Sequence, residues 1–272
     1  MTLAETILRK WLTIPYPLHT TVQRSALKKA PTVLFLHGIG NSGEAWHDVI
    51  EKLPKEYHII TIDLLGFGKS PKPSWMTYDA RQQARAVMAT YLRLRVRGRV
   101  VIVGHSLGAL VAVEIARRYP LLVRSLVLCS PPFYKIDETK RRLLPSSDQL
   151  LQDMYRLASK HPEQFVKISA MAVKLGITNK SFSLTRDSAA VYMNALEATV
   201  INQTSLKDAA KLAVPVRILH GRFDPVVVLK NLRFLANTNP QVTVKSILAS
   251  HEVTGLYVDA VVKEIIETIG KK

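Results

Sequence analysis

The feature that most constrains the fold of this chain is a serine placed between an apolar segment and a helical pattern. Residues 100–103 are Val-Val-Ile-Val, residues 104–108 are Gly-His-Ser-Leu-Gly, and a helical pattern then runs to Tyr119 and stops at Pro120. A strand that turns sharply into a helix at Gly-x-Ser-x-Gly is typical of a nucleophile elbow. The two glycines leave room for that turn, since side chains there would collide with the neighbouring strand and helix. We therefore predict that Ser106 is a catalytic nucleophile.

Short apolar runs alternate with helical patterns along most of the chain. The predicted strands are Thr32–Leu36, His58–Ile62, Arg99–Val103, Ser125–Cys129, Val216–Leu219 and Val242–Ile247. The predicted helices are Gly43–Leu53, Tyr78–Leu94, Ser106–Tyr119, Leu229–Ala236 and Thr254–Ile269. Strands that are apolar throughout and separated by helices indicate a parallel sheet covered on both faces. The predicted fold class is α/β, with a mostly parallel, doubly wound sheet whose carboxyl edge carries the site.

The alternation stops between Pro131 and Ala213. We expect no strand in this stretch, and its helical patterns are Asp148–Ser159, Glu163–Leu175 and Asp187–Ile201. The stretch follows one strand end and precedes the next strand, so both of its ends open near Ser106. We therefore predict a core made of residues 1–130 and 213–272, with a helical cap of residues 131–212 inserted over the active edge.

A serine hydroxyl is a poor nucleophile unless a base accepts its proton and a third group orients that base. The chain has eight histidines, of which His251 follows the last predicted strand and precedes the last helix. Asp224 stands in the segment His-Gly-Arg-Phe-Asp-Pro, directly after the strand Val216–Leu219. These positions make His251 a candidate base and Asp224 a candidate acid. Asp137, beyond the end of an earlier predicted strand, is an alternative acid.

Four segments, in this order and spacing, resemble the α/β-hydrolase-fold serine hydrolases over nearly the whole chain. They are residues 37–40 (His-Gly-Ile-Gly), residues 63–70 (Asp-Leu-Leu-Gly-Phe-Gly-Lys-Ser), the elbow at residues 104–108, and residues 220–225 (His-Gly-Arg-Phe-Asp-Pro). The order Ser106, Asp224, His251 is the family's order of nucleophile, acid and base. The fuller motif around Asp224 favours it over Asp137 as the acid. The resemblance implies that Asp224 orients His251, which accepts the Ser106 proton. One departure is Ser250, where the family often has glycine before the histidine.

The resemblance also implies a reaction. The substrate would be a small-molecule carboxylic ester, cleaved through an acyl-enzyme without a metal or an organic cofactor. The backbone N–H groups of Ile39 and Leu107 would form the oxyanion hole. Carbon–carbon bond hydrolysis and cofactor-free perhydrolase or haloperoxidase chemistry use the same triad, and a ligand receptor on this fold is a non-enzymatic alternative. Phe133 and Tyr134, at the start of the predicted cap, are candidates for the lining of the substrate pocket.

Composition limits the environment in which such a site would work. The formal net charge of +17 over 272 residues suits an acidic substrate, an anionic membrane surface or nucleic acid. Because no nucleic-acid-binding motif accompanies the basic clusters, we favour a solvated basic surface and expect no nucleic-acid partner. Cys129 is the only cysteine, which excludes an internal disulfide. With no apolar run near about 20 residues and no recognisable secretory leader, we expect no transmembrane segment and a cytoplasmic location.

Overall fold

The computed structural model describes residues 3–23, 30–137, 142–143, 160–175 and 178–270. Its strands are β1 (Thr20–Gln23), β2 (Thr32–Leu36), β3 (His58–Ile62), β4 (Val100–His105), β5 (Val123–Cys129), β6 (Ile136–Asp137), β7 (Arg142–Leu143), β8 (Val216–Gly221) and β9 (Val242–Ile247). Seven of these form one sheet in the spatial order β1-β3-β2-β4-β5-β8-β9, while β6 and β7 form a separate pair. Strand β1 is antiparallel to β3, and all other neighbours in the large sheet are parallel. The predicted fold class is confirmed.

Helices cover both faces of the sheet. After β2, the described α-helices are His47–Glu51, Ala80–Arg93, Leu107–Arg118, Pro162–Lys174, Arg186–Ala195, Ser205–Ala209, Leu229–Thr238 and Leu256–Gly270. A 3₁₀ turn at Gly43–Trp46 precedes the first of these, a π-helix at Leu196–Ile201 extends the fifth, and the amino-terminal segment has Leu3–Glu5 and a π-helix at Thr6–Trp11. Within the described residues, none of the helices is both long and apolar enough to cross a bilayer.

Side chains of each central strand alternate between two hydrophobic clusters. Val33 and Phe35 of β2 join the cluster that includes the helices His47–Glu51 and Leu256–Gly270. Leu34 and Leu36 join the larger cluster on the other face, which includes the helices Ala80–Arg93, Leu107–Arg118 and Leu229–Thr238. Every residue of β2 is buried, as expected for a central strand with helices on both sides. The sheet is therefore a rigid support for residues at its carboxyl edge.

The helices between β5 and β8 contact loops at that carboxyl edge. The backbone N–H of Ser183 donates to the carbonyl of Gly40 at 2.8 Å, and Gly40 lies in the loop after β2. The Thr199 hydroxyl donates to the carbonyl of Tyr78 at 2.7 Å, and Tyr78 lies in the loop after β3. The helical stretch therefore lies against the edge, although the predicted limits of core and cap, residues 131–212 for the cap, stay a prediction.

One expectation for this stretch was wrong. We expected no strand between Pro131 and Ala213, but β6 and β7 pair there as two-residue strands. Strands this short contain too few residues for a recognisable hydrophobic pattern. The predicted helix Asp148–Ser159 lies outside the described residues. The other two predicted helices of the stretch are present as Pro162–Lys174 and as Arg186–Ala195 with its π-helical extension.

A buried aspartate holds the loop after β3 in place. Asp63 Oδ1 accepts the backbone N–H of Gly43 at 2.7 Å, and Oδ2 accepts that of Lys69 at 2.8 Å. The Ser70 hydroxyl donates to the Asp63 carbonyl at 2.6 Å. A β-carbon added to Gly68 would collide with the Asp63 carboxylate. The Asp-x-x-Gly-x-Gly-x-Ser segment is thus a structural brace that joins two loops of the active edge.

The helix Leu107–Arg118, called the elbow helix below, packs unusually closely on β2. A β-carbon built on Gly108 would collide with the backbone carbonyl of Leu36 and lie 2.6 Å from that of His37. Both contacts are with backbone, which cannot rotate away as a side chain can. The packing therefore requires glycine at this position.

Substituting Gly108→Ala should reduce the free energy of unfolding by about 1–3 kcal/mol or more, because the extra methyl group forces the elbow helix off β2. Gly270→Ala is the matched control, since a β-carbon at Gly270 meets nothing within 4 Å. Chemical denaturation of both variants and the parent chain measures the difference. Equal stability of the two variants would contradict the close packing.

Candidate active site

Ser106 occupies a strained turn between β4 and the elbow helix. Its backbone angles are φ 50° and ψ −116°, in a region that residues other than glycine rarely adopt. The turn is held on both sides, because the Ser106 N–H donates to the carbonyl of Cys129 at 3.0 Å and its carbonyl accepts the N–H of Ala109 at 2.9 Å. Such strain persists only where the surrounding structure enforces it, and it is common at functional sites.

Two neighbouring parallel strands bring Asp224 and His251 together. Asp224 lies beyond the end of β8 and His251 beyond the end of β9. His251 Nδ1 is 3.0 Å from Asp224 Oδ1 and 2.9 Å from Oδ2. The Asp224 carboxylate is fully buried, and its Oδ1 also accepts the backbone N–H groups of Val226 and Val227 at 2.8 and 3.2 Å. Because a carboxylate only accepts, Nδ1 carries the proton and Nε2 is left free to act as a base.

The electrostatics of this pair favour the ionised carboxylate. Burial by itself would raise the pKa of Asp224, but hydrogen bonds from His251 and Ser130 and the charge of His251 outweigh burial and hold that pKa below its ordinary value. Burial likewise favours the neutral imidazole of His251. The hydrogen bond to Asp224 and its negative charge outweigh this effect and raise the pKa of His251 above its ordinary value.

Ser130 contacts the Asp224 carboxylate, and Tyr257 lies behind Ser130. Neither residue was predicted from the sequence. The Ser130 hydroxyl hydrogen bonds to Asp224 and lies 3.2 Å from the Tyr257 hydroxyl. Tyr257 donates in turn to the carbonyl of Leu219 at 2.7 Å, which also accepts the Ser130 N–H at 2.8 Å. Ser130 is fully buried and has a φ of 48°. A serine at the end of β5 was the available sequence signal, but its partner could be found only from the strand order.

His105 connects the elbow to His251. Its Nε2 donates to the backbone carbonyl of His251 at 3.0 Å, and the two rings are 5.0 Å apart between centroids. Burial lowers the pKa of His105 below its ordinary value. Among the residues that the structure describes, the Ser106 hydroxyl forms no hydrogen bond with His251. In structures without substrate such catalytic hydrogen bonds are often long and tighten only when substrate binds.

The loop after β2 lies directly against the elbow. A β-carbon on Gly38 would lie 2.7 Å from His105 Nδ1 and 3.4 Å from the Ser106 β-carbon. His37 fixes this loop, because its Nδ1 donates to the Gly38 carbonyl at 2.7 Å and its Nε2 accepts the backbone N–H of Leu64 at 2.9 Å. Burial lowers the pKa of His37 to about 4, so this side chain stays neutral with one fixed tautomer.

Ile39 and Leu107, the residues predicted to form the oxyanion hole, lie on the two sides of Ser106. Ile39 follows Gly38 in the loop against the elbow, and Leu107 is the first residue of the elbow helix. The first N–H groups of a helix have no acceptor within that helix, and its positive dipole end favours a nearby anion. The arrangement can therefore stabilise negative charge next to Ser106.

The remaining predicted positions are Phe133, Tyr134 and Asp137. Phe133 and Tyr134 are fully buried in the larger hydrophobic cluster, and the Tyr134 hydroxyl donates to the carbonyl of Val226, two residues from Asp224. Their assignment to the substrate pocket stays a prediction. The backbone of Asp137 lies in the short strand β6, and its side chain is outside the described part of the chain.

No cluster of three or more metal-ligating side chains occurs within residues 3–23, 30–137, 142–143, 160–175 and 178–270. The lone cysteine, Cys129, is buried in β5. Burial raises the pKa of its thiol far above the ordinary value, so it stays protonated and unreactive.

Three comparisons with known proteins agree with this geometry. A pimeloyl-[acyl-carrier protein] methyl ester esterase of Pseudoalteromonas atlantica is 29% identical over 228 residues, which cover 78% of this chain and 83% of that protein. The probable lysophospholipase BODYGUARD 2 of Arabidopsis thaliana is 32% identical over 114 residues, which cover 40% of this chain but only 24% of the plant protein. An esterase from Thermogutta terrifontis has the same fold, with a TM-score of 0.72, 20% identity and 93% of each chain covered.

The pattern of conserved positions that defines the α/β hydrolase fold matches residues 31–253. This range begins just before β2, includes the elbow and ends two residues after His251. It covers most of the chain and includes every strand of the large sheet except β1. The chain therefore belongs to the α/β-hydrolase fold family.

Proposed function

We propose that the protein is a serine hydrolase that cleaves carboxylic esters of small molecules through an acyl-enzyme. The observation that carries the proposal is the buried hydrogen-bonded pair Asp224–His251, held through His105 next to a serine in a strained elbow. A nucleophile, a base and an orienting carboxylate at one edge are the groups that acyl transfer requires. The methyl ester esterase that resembles 78% of this chain supports an ester as substrate.

The first half of the proposed reaction forms the acyl-enzyme. Ser106 Oγ attacks the carbonyl carbon of the ester while His251 Nε2 takes the hydroxyl proton, which gives a tetrahedral intermediate with a negative oxygen. The backbone N–H groups of Ile39 and Leu107 donate to that oxygen, and each such donor is typically worth about 3–4 kcal/mol in the transition state. The imidazolium then protonates the leaving alkoxide oxygen, the ester C–O bond breaks, and an alcohol departs.

The second half restores the enzyme with water. His251, now neutral, takes a proton from a water molecule that attacks the acyl carbon, and the bond to Ser106 Oγ breaks as that oxygen regains its proton. The carboxylate of Asp224 stays ionised throughout, because its hydrogen bonds hold its pKa low. Its role is to keep the His251 Nδ1 proton in place and to stabilise the imidazolium.

We also propose that the helical stretch of residues 131–212 is a cap, and that Phe133 and Tyr134 help to shape the substrate pocket at its base. Contacts between this stretch and the loops after β2 and β3 support the cap assignment. The burial of Phe133 and Tyr134, beside the loop that carries Asp224, supports the second. Their side chains would limit the length of the acyl group from below.

Substituting Ser106→Ala should reduce hydrolysis of activated esters by more than about 10³-fold, because no other group can form the acyl-enzyme. Ser125→Ala is the matched control, since Ser125 is a buried serine of β5 whose hydroxyl has no hydrogen-bond partner in the described part of the chain. Nitrophenyl esters of increasing acyl length provide the assay, and labelling by a fluorophosphonate reports the nucleophile.

Two outcomes would contradict this proposal. Unchanged ester turnover by the Ser106→Ala variant would show that another group is the nucleophile. Absence of ester turnover by the parent chain, with hydrolysis of a vinylogous diketone instead, would favour carbon–carbon bond cleavage by the same triad.

The pH profile of the parent chain should rise through the raised pKa of His251, because only the neutral imidazole is a base. Asp224→Asn removes the carboxylate charge and its hydrogen bond, the two largest influences that raise this pKa. It leaves burial, which lowers the pKa, and the smaller effect of the Glu252 charge, which raises it. The midpoint should therefore move to lower pH while kcat falls about 10³–10⁴-fold. Asp137→Asn is the control for the alternative acid. Measurement of kcat/KM across about pH 5 to 9 covers the range in which histidine titrates. A larger loss in Asp137→Asn would reverse the assignment.

Ser130 should act as a positioning residue for Asp224. Without its hydroxyl the carboxylate becomes more basic and attracts the His251 proton more strongly, so Ser130→Ala should move the rising limb of kcat/KM to higher pH by a few tenths of a unit. Ser130→Gly is the second variant, because glycine tolerates the φ of 48° at this position. If Ser130 had a purely structural role, activity would fall in one or both variants, but the rising limb of kcat/KM would stay at the same pH.

A further inference from the structure

The outer surface of the helix Pro162–Lys174, called the outer helix below, carries an apolar stripe. Ile168, Met171 and Leu175 are 54%, 63% and 66% exposed, and their spacing of three and four residues places them on one face. The adjoining face of the same helix is already packed, since Phe165 and Ser169 are buried. An amphipathic helix needs a single apolar face to join a core. The exposed stripe therefore has no role in packing the rest of the described chain.

Cations border this stripe. Lys167 and Lys174 lie next to Ile168 and Leu175 in the sequence and are exposed. Neither lysine forms an ion pair with the part of the chain that the structure describes. An apolar stripe bordered by free ammonium groups is the composition of helices that lie at a membrane surface, with the apolar side chains inserted and the cations at the headgroups.

The amino-terminal segment Leu3–Ile14 has the same character. Its π-helix buries no residue, and Ile7, Leu8, Trp11 and Leu12 are 41%, 40%, 78% and 59% exposed. Tryptophan is enriched where proteins meet the interface of a bilayer. Four large exposed apolar side chains within six residues are costly in water, so this segment too is suited to an apolar partner.

Both segments are attached to the same loop at the carboxyl edge of the sheet. In the amino-terminal segment, the Lys10 ammonium lies 5.7 Å from the centre of the Trp75 ring, and Trp75 is in the loop after β3. In the outer helix, the Phe165 ring packs 5.6 Å from that of Tyr192. The neighbouring residue, Val191, contacts Gly66 of that same loop.

The outer helix is also linked to the candidate site. Tyr192 packs on Phe182 with 6.2 Å between ring centroids, and Phe182 closes on Gly40, next to Ile39. A chain of packed side chains therefore runs from the exposed stripe to the loop proposed to hold the oxyanion. The outer helix is thus connected by packed side chains to the edge where Ser106 is found.

We propose that the outer helix and the amino-terminal segment dock this protein on an anionic phospholipid surface, with the carboxyl edge of the sheet turned towards the lipid. The net charge of +17 favours an anionic surface over a zwitterionic one. The orientation deepens the proposed function, because it would bring acyl substrates to the edge that carries Ser106. Docking itself requires only the exposed residues.

Sedimentation of the full chain with vesicles tests the docking. We expect binding to phosphatidylcholine vesicles that contain one third phosphatidylglycerol, weaker binding at high salt, and little binding to phosphatidylcholine alone. The double variant Ile168→Ser, Met171→Ser should bind about tenfold more weakly, and Trp11→Ser should also lose affinity. Leu121→Ser is the matched control, because Leu121 is 86% exposed but lies before β5, at the opposite edge of the sheet.

Three results would overturn the proposal: no binding of the parent chain to the anionic vesicles, equal binding by the double variant and the parent, or equal losses in the double variant and in Leu121→Ser. Sedimentation velocity without lipid tests the alternative that a second copy of the chain covers the stripe. A dimer that the double variant dissociates, without vesicle binding, would make the stripe an interface between two copies of the chain.

Two measurements separate this proposal from the proposed function. The double variant should hydrolyse a short soluble ester at the parent rate, which shows that the fold and the site are intact. Ser106→Ala should bind vesicles like the parent even though its turnover is lost. Vesicle binding without any ester turnover would therefore retain the docking surface and reject the esterase.

Discussion

The backbone of Ser106 is the constraint on which the rest of this structure depends. A φ of 50° at a non-glycine residue is unfavourable, and it is held here by hydrogen bonds to two separate elements, β5 and the elbow helix. The turn also requires the elbow helix to start against the carbonyl groups at the end of β2. The end of β5, the end of β2 and the start of the elbow helix therefore meet at this one turn.

The same edge of the sheet also stabilises a charged carboxylate inside the protein. Burying an ion without partners is costly. Asp224 avoids that cost because the adjacent ends of β5, β8 and β9 supply donors: the Ser130 hydroxyl, two backbone N–H groups and the His251 ring. The stability of the charge thus comes from the parallel sheet, which brings residues far apart in the sequence to the same edge.

The sequence allowed prediction of those parts of the fold that depend on local patterns. Strands β2, β3 and β9 have the predicted bounds, because each is a short segment rich in β-branched residues. Strand β1 was missed, since Thr20–Gln23 is only half-buried at the edge of the sheet and has no apolar run. Asp224 is hydrogen bonded to His251, and the roles of the two residues as acid and base stay a prediction.

Features that depend on tertiary packing could not be predicted. Ser130 and Tyr257 are separated by 127 residues, and nothing in either neighbourhood indicates that the two hydroxyl groups meet. Hydrophobicity identified Phe133 and Tyr134 as buried or pocket-lining, but it cannot distinguish these two environments. The exposure of the apolar stripe on the outer helix could not be predicted either, because the sequence does not show which face of that helix is buried.

Three histidines crowd the edge around Ser106, yet they divide into two electrostatic classes. Burial lowers the pKa of His37 to about 4 and lowers that of His105 as well, and both serve as hydrogen-bonding struts between loops. Only His251, beside a carboxylate, has its pKa raised. In the proposed reaction, the scaffold around Ser106 would therefore keep its shape while a single imidazole gains and loses a proton. Structural support and proton transfer would then fall to different copies of the same residue type.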